Sequence, residues 1–351
     1  MLLWIDGFDI YGTSSTGVTN MLEGVYAEIT ANSSPTTTQA RTGVNSYGLS
    51  LNGTFRRIFG SNLATVGVGM AWFFNSLPTA SNAIMLAQFL DNGGSAVCTI
   101  TMSTTGQIEV RTGGVSGTVR ASSSPVLVTT AWQHVEIKTT FHATTGACEI
   151  RVNGQTILNA SNINTDALGT SYSSQVRVGS GGTAGFPTGN PSVFVDDIFA
   201  WDLSGTYNND FIGDKKVYAL VPTSDTAVAD WLPDTGSTGY TQIDEIPPVS
   251  TDYIQANTVG DESEFGMSNL PSDVTNVLGI QFYTKMLKTD AGDSSVQVSV
   301  VSGASDASGA DRPITTNATV YTDVFEEDPD TSAPWTLSGV DAMLARVART
   351  L

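Results

Sequence analysis

The sequence has little positive charge. It holds 15 lysine and arginine residues against 34 aspartate and glutamate residues, and its formal net charge is −19 at pH 7. Proteins that bind a phosphate backbone do so with clustered lysine and arginine side chains. The composition therefore predicts that nucleic acid is not a partner. The acidity itself is what keeps many proteins from associating non-specifically.

Cysteine and long apolar runs are also scarce. Cys98 and Cys148 are the only cysteines, and each lies in a strand-like stretch. Two are too few for a disulfide framework, so we expect buried free thiols, and whether their strands are neighbours stays open. Apolar stretches such as "TVGVGMAWFF" fall short of the roughly 18 residues of a membrane helix, and no basic leader precedes Asp6. The prediction is a chain that is made in the cytoplasm and does not insert into a membrane.

Short runs of small and β-branched residues dominate what is present. The chain holds 35 glycines and only 14% charged residues, a usage typical of short strands joined by turns. In "WQHVEIKTTFHATTGACEIRVNGQTIL", Val135 and Ile137 alternate with His134 and Glu136, which predicts a strand with one core face and one wet face. The Asn-Gly pair at 153–154 predicts a type I′ hairpin turn. The sequence indicates an all-β sandwich or jelly roll.

A change of amino-acid composition after Asp202 indicates a second domain. The stretch from residue 206 is rich in aspartate and proline and is interpreted as a connector, after which residues 277–287 and 296–300 are predicted as a strand and its return strand. The closing "WTLSGVDAMLARVARTL" predicts a short amphipathic helix, or a helical turn leading to an edge strand, that begins near Ser338. We expect a jelly roll over 1–205 and a connector with a smaller C-terminal β-domain over 206–351.

Three stretches carry a resemblance to a known family. The opening "WIDGFD", the Asn-Gly hairpin and the late "VFVDDIFAWD" together resemble the concanavalin A-like jelly roll of laminin-G-type domains, over about residues 1 to 205. The resemblance implies that the first strand pairs with the late "VDDI" strand in one sheet. It also implies a sandwich whose relatives include lectins.

The order of phrases along the chain resembles virion structural proteins of tailed bacteriophages. It runs from "WIDGFD" through "GDKKVYALVPTSDTAVADWLPDTGSTGYTQIDEIPP" to "EEDPDTSAPWTLSGVDAM". This resemblance implies a non-enzymatic capsid decoration, tail or fibre protein, located in the virion and in contact with other virion proteins and with copies of itself. The alternative is a carbohydrate-binding, lectin-like module that attaches to a host surface glycan. A polysaccharide hydrolase is a third hypothesis.

Catalytic patterns are missing from the sequence. A retaining glycosidase of this fold needs carboxylates that alternate along one strand, and no Glu-x-Asp-x-Glu run exists. Asp196 and Asp197 are predicted to lie on opposite faces of a strand, one hydrogen-bonded and one solvated. His134 and His142 would lie about 26 Å apart on one strand and cannot share a metal ion. No catalytic or cofactor-binding residue is predicted, and the chain is predicted not to be an enzyme.

Loop residues supply the remaining candidates. Four aromatic side chains could stack on sugar rings, contact neighbouring subunits or pack beneath their own loops. Asp91-Asn92 and residues 290–293 offer oxygen ligands of the kind that calcium prefers, but aspartate equally favours turns, so no metal site and no cofactor is predicted. The candidate ligand or subunit contacts are Tyr172, Phe186, Tyr207 and Tyr240.

Overall fold

The chain forms two compact units. A computed structural model describes residues 1–182 and 184–351. One unit comprises Met1–Phe8, Gly12–Leu22 and Tyr26–Val217, and the other comprises Asp9–Tyr11, Glu23–Val25 and Tyr218–Leu351. The predicted division after residue 205 stays a prediction, and the segment that follows it packs on the first unit as far as Val217.

The described part of the first unit contains antiparallel strands and one α-helix. The helix α1 spans Ser14–Leu22. The strands are β1 (Leu2–Asp6), β2 (Glu28–Ile29), β3 (Ser33–Thr36), β4 (Ser46–Leu49), β5 (Thr54–Leu63), β6 (Thr65–Phe74), β7 (Ile84–Leu90), β8 (Ala96–Met102), β9 (Ile108–Thr112), β10 (Val119–Ser122), β11 (Trp132–Thr140), β12 (Gly146–Val152), β13 (Gln155–Ile163), β14 (Ser173–Ser180) and β15 (Val193–Asp202).

These strands form two antiparallel sheets of a jelly-roll sandwich. Sheet A has the order β13-β12-β11-β6-β15-β4-β3, with β1 also paired to β15. Sheet B has the order β10-β9-β8-β7-β14-β5-β2. The predicted all-β, concanavalin A-like sandwich is confirmed. Alternate side chains of β6 fill its core, and Val68, Met70 and Trp72 are fully buried.

The opening strand pairs with the late acidic strand, as the resemblance implied. Trp4 lies opposite Ala200, and Asp6 lies opposite Ile198. The Asp6 carboxylate accepts the Phe8 backbone N–H at 2.7 Å and the Tyr26 hydroxyl at 2.8 Å. The segment "WIDGFD" therefore adds an edge strand to sheet A. Its buried Asp6 carboxylate stabilises the turn that follows this strand.

The hairpin prediction is confirmed as well. β12 and β13 pair around Asn153 and Gly154, whose φ angles of 49° and 79° are those of a type I′ turn. Both cysteines are free and buried, with Cys98 on β8 of sheet B and Cys148 on β12 of sheet A. Among the described residues, no helix is long and apolar enough to span a bilayer.

Glycines on the outer side of β6 make room for aromatic rings. A Cβ at Gly67 would lie 2.0 Å from the Trp201 indole, and one at Gly69 would lie 2.4 Å from the Phe199 ring. Both aromatic side chains come from β15 and lie across β6, and His134 of β11 stacks on Phe199 with ring centroids 5.5 Å apart. The glycines that interrupt the apolar run are thus a packing requirement of sheet A.

The 203–217 segment covers this side of sheet A. Its Ile212 and Gly213 backbone N–H groups donate to one Glu136 oxygen at 2.8 and 3.0 Å. Phe211 lies beneath the Arg151 guanidinium, whose carbon is 3.8 Å from the ring centroid. The prediction of a wet face on β11 is therefore wrong: His134 and Glu136 are each only 1% exposed, because irregular chain from beyond the sandwich packs over them.

The two adjacent aspartates also differ from expectation. A bulge interrupts β15 after Asp196, and Asp197 adopts a φ of 50°, so both carboxylates turn toward residues 41–42. Asp196 accepts the Arg41 and Thr42 backbone N–H groups, and Asp197 accepts the Arg41 guanidinium at 2.7 Å and the Val217 N–H at 2.8 Å. Neither aspartate is solvated. Burial, and then the charge of Asp197, raise the pKa of Asp196 to about 8.

The second unit contains a sheet of six strands and three two-stranded ribbons in its described part. The sheet has the order β16-β19-β27-β21-β22, with β23 also on β21, and the ribbons are β17-β18, β20-β24 and β25-β26. The elements are β16 (Pro222–Ala229), β17 (Leu232–Pro233), β18 (Ile254–Gln255), β19 (Glu262–Met267), β20 (Ile280–Met286), β21 (Ser295–Ser302), β22 (Ser305–Ser308), β23 (Arg312–Pro313), β24 (Thr319–Phe325), β25 (Glu327–Asp328), β26 (Ala333–Pro334), α2 (Leu337–Ala342) and β27 (Leu344–Arg349); short 3-10 helices span Asp9–Tyr11 and Tyr240–Gln242.

The C-terminal predictions hold in part. The predicted strands near 280 and 298 exist, but β20 pairs with β24 and β21 pairs with β27, so they are not a strand and its return. The short terminal helix is confirmed as α2, although its cap is Thr336, whose hydroxyl accepts the Gly339 N–H at 2.9 Å. The strand after it, β27, lies inside the sheet between β19 and β21, and not at the edge of the sheet.

We predict that Gly67→Ala strongly destabilises the first unit. The new methyl group would overlap the fully buried Trp201 ring, and overpacking of this kind costs about 1–3 kcal/mol or more. Gly114→Ala is the matched control, since the nearest atom to its Cβ position lies at 4.0 Å. Urea unfolding would show a lower midpoint for the first variant only, and equal midpoints would contradict the packing argument.

We predict that His134 makes stability fall as the pH falls from 6.5 to 4. Burial lowers the pKa of its imidazole to about 4, so the unfolded chain takes up a proton before the folded chain does. Stability is lost through this window by on the order of 3 kcal/mol. Both ring nitrogens lack a hydrogen-bond partner, so His134→Phe removes no hydrogen bond. Denaturation series at several pH values should show a flatter dependence for His134→Phe than for the wild type, and equal slopes would contradict the prediction.

Candidate functional site

A row of polar side chains crosses the outer face of sheet B. Six residues on six neighbouring strands lie directly opposite one another in the strand register. Because neighbouring strands are 4.7–4.9 Å apart, the row is about 24 Å long. We call it the sheet B row, and its members, in order from β2 to β9, are Glu28, Arg56, Arg177, Gln88, Thr99 and Arg111.

Strand alternation explains why these side chains share a face. On β14, Val176 and Val178 point into the core and are at most 1% exposed, which turns Arg177 and Gln175 outward. The same alternation on β8 turns Thr99 outward between buried Cys98 and Ile100. Each strand thus contributes its polar phase to one surface.

The β2 end of the row is the more accessible one. Glu28 forms ion pairs with both arginines, with its Oε2 atom 2.9 Å from Arg56 Nε and 3.1 Å from Arg177 Nη2. The side chains of Glu28, Arg56 and Arg177 are 33%, 20% and 24% exposed. Gln175 lies beside the row, accepts from Arg56 and donates to the Asp91 carbonyl at 2.8 Å. These contacts hold the two guanidinium groups in place while leaving part of each in contact with solvent.

The β9 end forms a deeper floor. Arg177 donates to Gln88 at 3.1 Å, and Gln88 donates to Thr99 at 3.1 Å. Arg111 lies along the sheet, with Nε 3.0 Å from the Thr101 hydroxyl and a terminal nitrogen paired with Glu109.

Loop 113–118 forms a wall over this deeper end. The Gly113 carbonyl accepts the Thr99 hydroxyl, and the Gly117 carbonyl accepts Arg111 Nη1 at 3.1 Å. The Val115 carbonyl accepts the Asn82 side-chain amide at 2.8 Å. The surface therefore has one open end, a floor and one wall.

The charge of this face opposes that of the whole chain. Three arginines, Arg56, Arg111 and Arg177, stand against Glu28 and Glu109, whereas the chain carries a net charge of −19. Each guanidinium has five N–H donors in a planar fork that fits a carboxylate. Arg177 directs one terminal nitrogen to Gln88 and the other to Glu28, so it keeps donors for a ligand.

The aromatic residues singled out from the sequence lie on four different elements. Tyr172 precedes β14 and donates its hydroxyl to Asn92, and Tyr207 lies half-buried in the 203–217 segment. Phe186, between β14 and β15, is only 6% exposed. Tyr240 begins a 3-10 helix of the second unit, and its N–H donates to Asp225. Their role as ligand or subunit contacts stays a prediction.

The two acidic loops with calcium-type oxygen ligands are turns between strands. Asp91 Oδ1 accepts the Ser95 N–H at 2.7 Å, as a turn-forming aspartate does. Residues 290–293 lie in an exposed turn before β21. Within residues 1–182 and 184–351, no group of three or more histidine, cysteine, aspartate or glutamate residues is arranged to hold a metal ion.

Sequence reasoning missed the sheet B row, although one signal for it was present. Arginine and lysine are rare in this chain, and three arginines stand at the polar phase of strand-like runs, in "TFRRIF", "IEVRT" and "SQVRVGS". An arginine in the middle of a strand on one face of a sandwich needs a partner or a ligand. The signal is therefore the presence of arginine in the middle of predicted strands, in a chain that has few basic residues.

Comparison with known proteins finds similar folds and no family. No protein family matches the chain, and no curated protein matches it in sequence. Among solved structures, the cellulose-induced protein Cip1 is 19% identical with a TM-score of 0.35, and the match covers 48% of this chain and 84% of that one. Alginate lyase Aly36B is 12% identical with a TM-score of 0.35, covering 56% of this chain and 95% of that one.

A third neighbour is a part of a much larger enzyme. Trypanosoma rangeli sialidase is 14% identical with a TM-score of 0.33, and the match covers 50% of this chain and 28% of the sialidase. At these identities a likeness concerns the fold alone, and at these TM-scores it supports no argument about ligands. What each neighbour acts on is a property of that neighbour.

These comparisons correct two predictions. The predicted role as a non-enzymatic virion structural protein is corrected: the similar structures named above are an alginate lyase, a sialidase and a cellulose-induced protein. The prediction that the chain is not an enzyme is corrected with it, and the likeness assigns no activity to this chain. The jelly-roll part of the resemblance is confirmed, whereas laminin-G membership and phage origin find no support.

Proposed function

We propose that the first unit binds an acidic polysaccharide along the sheet B row. The observation that carries the proposal is the alignment of six polar side chains across six strands, from Glu28 to Arg111. The partly exposed end of the row, formed by Glu28, Arg56 and Arg177 on three neighbouring strands, is about 10 Å long and is where an extended polymer would meet the sheet.

The side-chain types suit carboxylate groups. Arg56 and Arg177 are partly exposed and can each hold a carboxylate through two parallel N–H donors. Gln175, Gln88 and Thr99 are 3%, 6% and 0% exposed and are hydrogen-bonded to the protein, so they hold the two guanidinium groups in position from beneath. A phosphate polymer needs clustered unpaired positive charge, whereas the arginines of the row are ion-paired with Glu28 and Glu109.

Glu28 has a defined part in this proposal. In the unliganded protein its carboxylate bridges Arg56 and Arg177. A uronate carboxylate would compete for the same two guanidinium groups, which are already oriented for it. The single negative charge of Glu28 thus orients both guanidinium groups and neutralises only one of their two positive charges.

We predict that Arg177→Gln weakens binding to polygalacturonate at least tenfold. The variant loses a charge-assisted hydrogen bond worth about 1.5–3 kcal/mol, and 1.4 kcal/mol corresponds to tenfold in affinity. Affinity electrophoresis and calorimetry, with polygalacturonate and alginate as probes, measure the effect. Arg120→Gln is the charge-matched control, because Arg120 donates to Thr112, which is not a member of the row.

Fully methyl-esterified polygalacturonate is the matched control ligand, since it keeps the sugar backbone and lacks the carboxylates. The proposal fails if the wild type binds neither acidic polymer, or if Arg120→Gln and Arg177→Gln weaken binding equally. Size-exclusion profiles of the polymers after incubation show whether the bound chain is also cleaved.

A further inference from the structure

The second unit contains a groove that the sheet B row does not involve. It has a volume of about 380 Å³, within the range of about 300–1,000 Å³ typical of small-molecule sites. β16, β19 and the loop between residues 229 and 239 enclose it. The lining residues that matter here are Asp225, Trp231, Ser237, Ser263 and Phe265.

Trp231 supplies an aromatic surface with a fixed orientation. Its backbone N–H donates to the Ser263 hydroxyl at 2.9 Å, and its indole Nε1 donates to the Asp261 carbonyl at 3.1 Å. The side chain remains half-buried at the groove, while Phe265 beneath is only 5% exposed. Because both polar ends of Trp231 are satisfied, what the ring offers to a ligand is its apolar face.

Polar groups stand around this ring. Ser263 is 1% exposed, and its oxygen accepts the Trp231 N–H, so its own hydroxyl hydrogen is left to donate; no acceptor for it is found among the described residues. The Asp225 carboxylate accepts the Gly239 and Tyr240 N–H groups at 2.8 and 2.7 Å and keeps further lone pairs. Ser237 adds an exposed hydroxyl at the rim.

The charge of the groove selects against anions. Asp225 is its only charged lining residue in the described part of the chain, and no lysine or arginine lines the groove to offset it. A ligand with hydroxyl groups and one apolar face meets the aromatic ring, the two serine hydroxyls and the carboxylate at once. A pyranose ring has this combination, because its C–H groups cluster on one face and its hydroxyls project at the edge.

We propose that this groove binds a sugar unit of a neutral glycan, stacked on Trp231. Its hydroxyls pair with Ser263, Ser237 and Asp225. The site is separate in residues and in charge preference from the sheet B row, so the chain has two glycan sites that differ in ligand class.

Calorimetry on the full chain with cellohexaose, maltohexaose and laminarihexaose tests this site. Binding of at least one glucan is expected, with a loss of tenfold or more in Trp231→Ala and a smaller loss in Trp231→Phe, which keeps a ring. Tyr321→Ala is the matched control, because it removes an aromatic ring of the second unit outside the groove. Arg177→Gln should bind the glucan as the wild type does, so failure here is distinguishable from failure at the sheet B row.

A second variant keeps the test decisive if Trp231→Ala fails to fold. Ser237 is exposed, so Ser237→Ala should leave the unfolding midpoint unchanged and weaken glucan binding by about two- to fivefold through one lost hydrogen bond. The proposal is overturned if none of the three glucans binds the wild type. It is equally overturned if a glucan binds and folded variants at positions 231 and 237 retain full affinity.

Discussion

The packing of Phe199 and Trp201 across the glycines of β6 decides which side of the sandwich can bind a ligand. The two rings fill the outer side of sheet A, and Phe211 of the 203–217 segment packs against Trp201. The segment then buries Glu136 and pairs with Arg41. With this part of the outer face of sheet A covered, the partly exposed arginines of sheet B are the candidate ligand contacts of the sandwich.

The buried charges beneath the 203–217 segment are consistent with this division. Arg41 lies between Asp197 and Asp214, and Asp196 is held by backbone N–H groups of residues 41–42. Removing one partner of such a buried pair leaves an uncompensated charge, so the cluster ties the segment firmly to the sheet. We assign Asp196 and Asp197 to the fold, since their carboxylates accept hydrogen bonds from the backbone N–H groups of Arg41, Thr42 and Val217 and from the Arg41 guanidinium.

Local sequence patterns predicted the parts of the fold that depend on neighbouring residues. The type I′ turn at Asn153-Gly154 follows from the φ angles that only a few residue types tolerate, and the alternation at Val135 and Ile137 gave the core face of β11 correctly. The wet face of β11 was wrong because periodicity reports which residues share a face and not what later covers that face. The solvated Asp197 was wrong because a bulge resets the alternation on which the prediction relied.

The sheet B row shows the same limit at the candidate site. Its residues are Glu28, Arg56, Arg177, Gln88, Thr99 and Arg111, and this spatial order differs from their order in the chain because β14 inserts between β5 and β7. The alternation within each strand shows which of its residues face outward. Only the order of the strands in the sheet brings those outward residues side by side. That order is set by long-range pairing, which a local pattern does not encode. The row nevertheless contains three of the chain's few positively charged residues, each in the middle of a strand. Because the chain as a whole is acidic, these arginines attract an anionic ligand only at short range. Beyond a Debye length of about 8 Å the face is screened, so selectivity must come from the fit of each carboxylate to a guanidinium and not from the field of the whole protein.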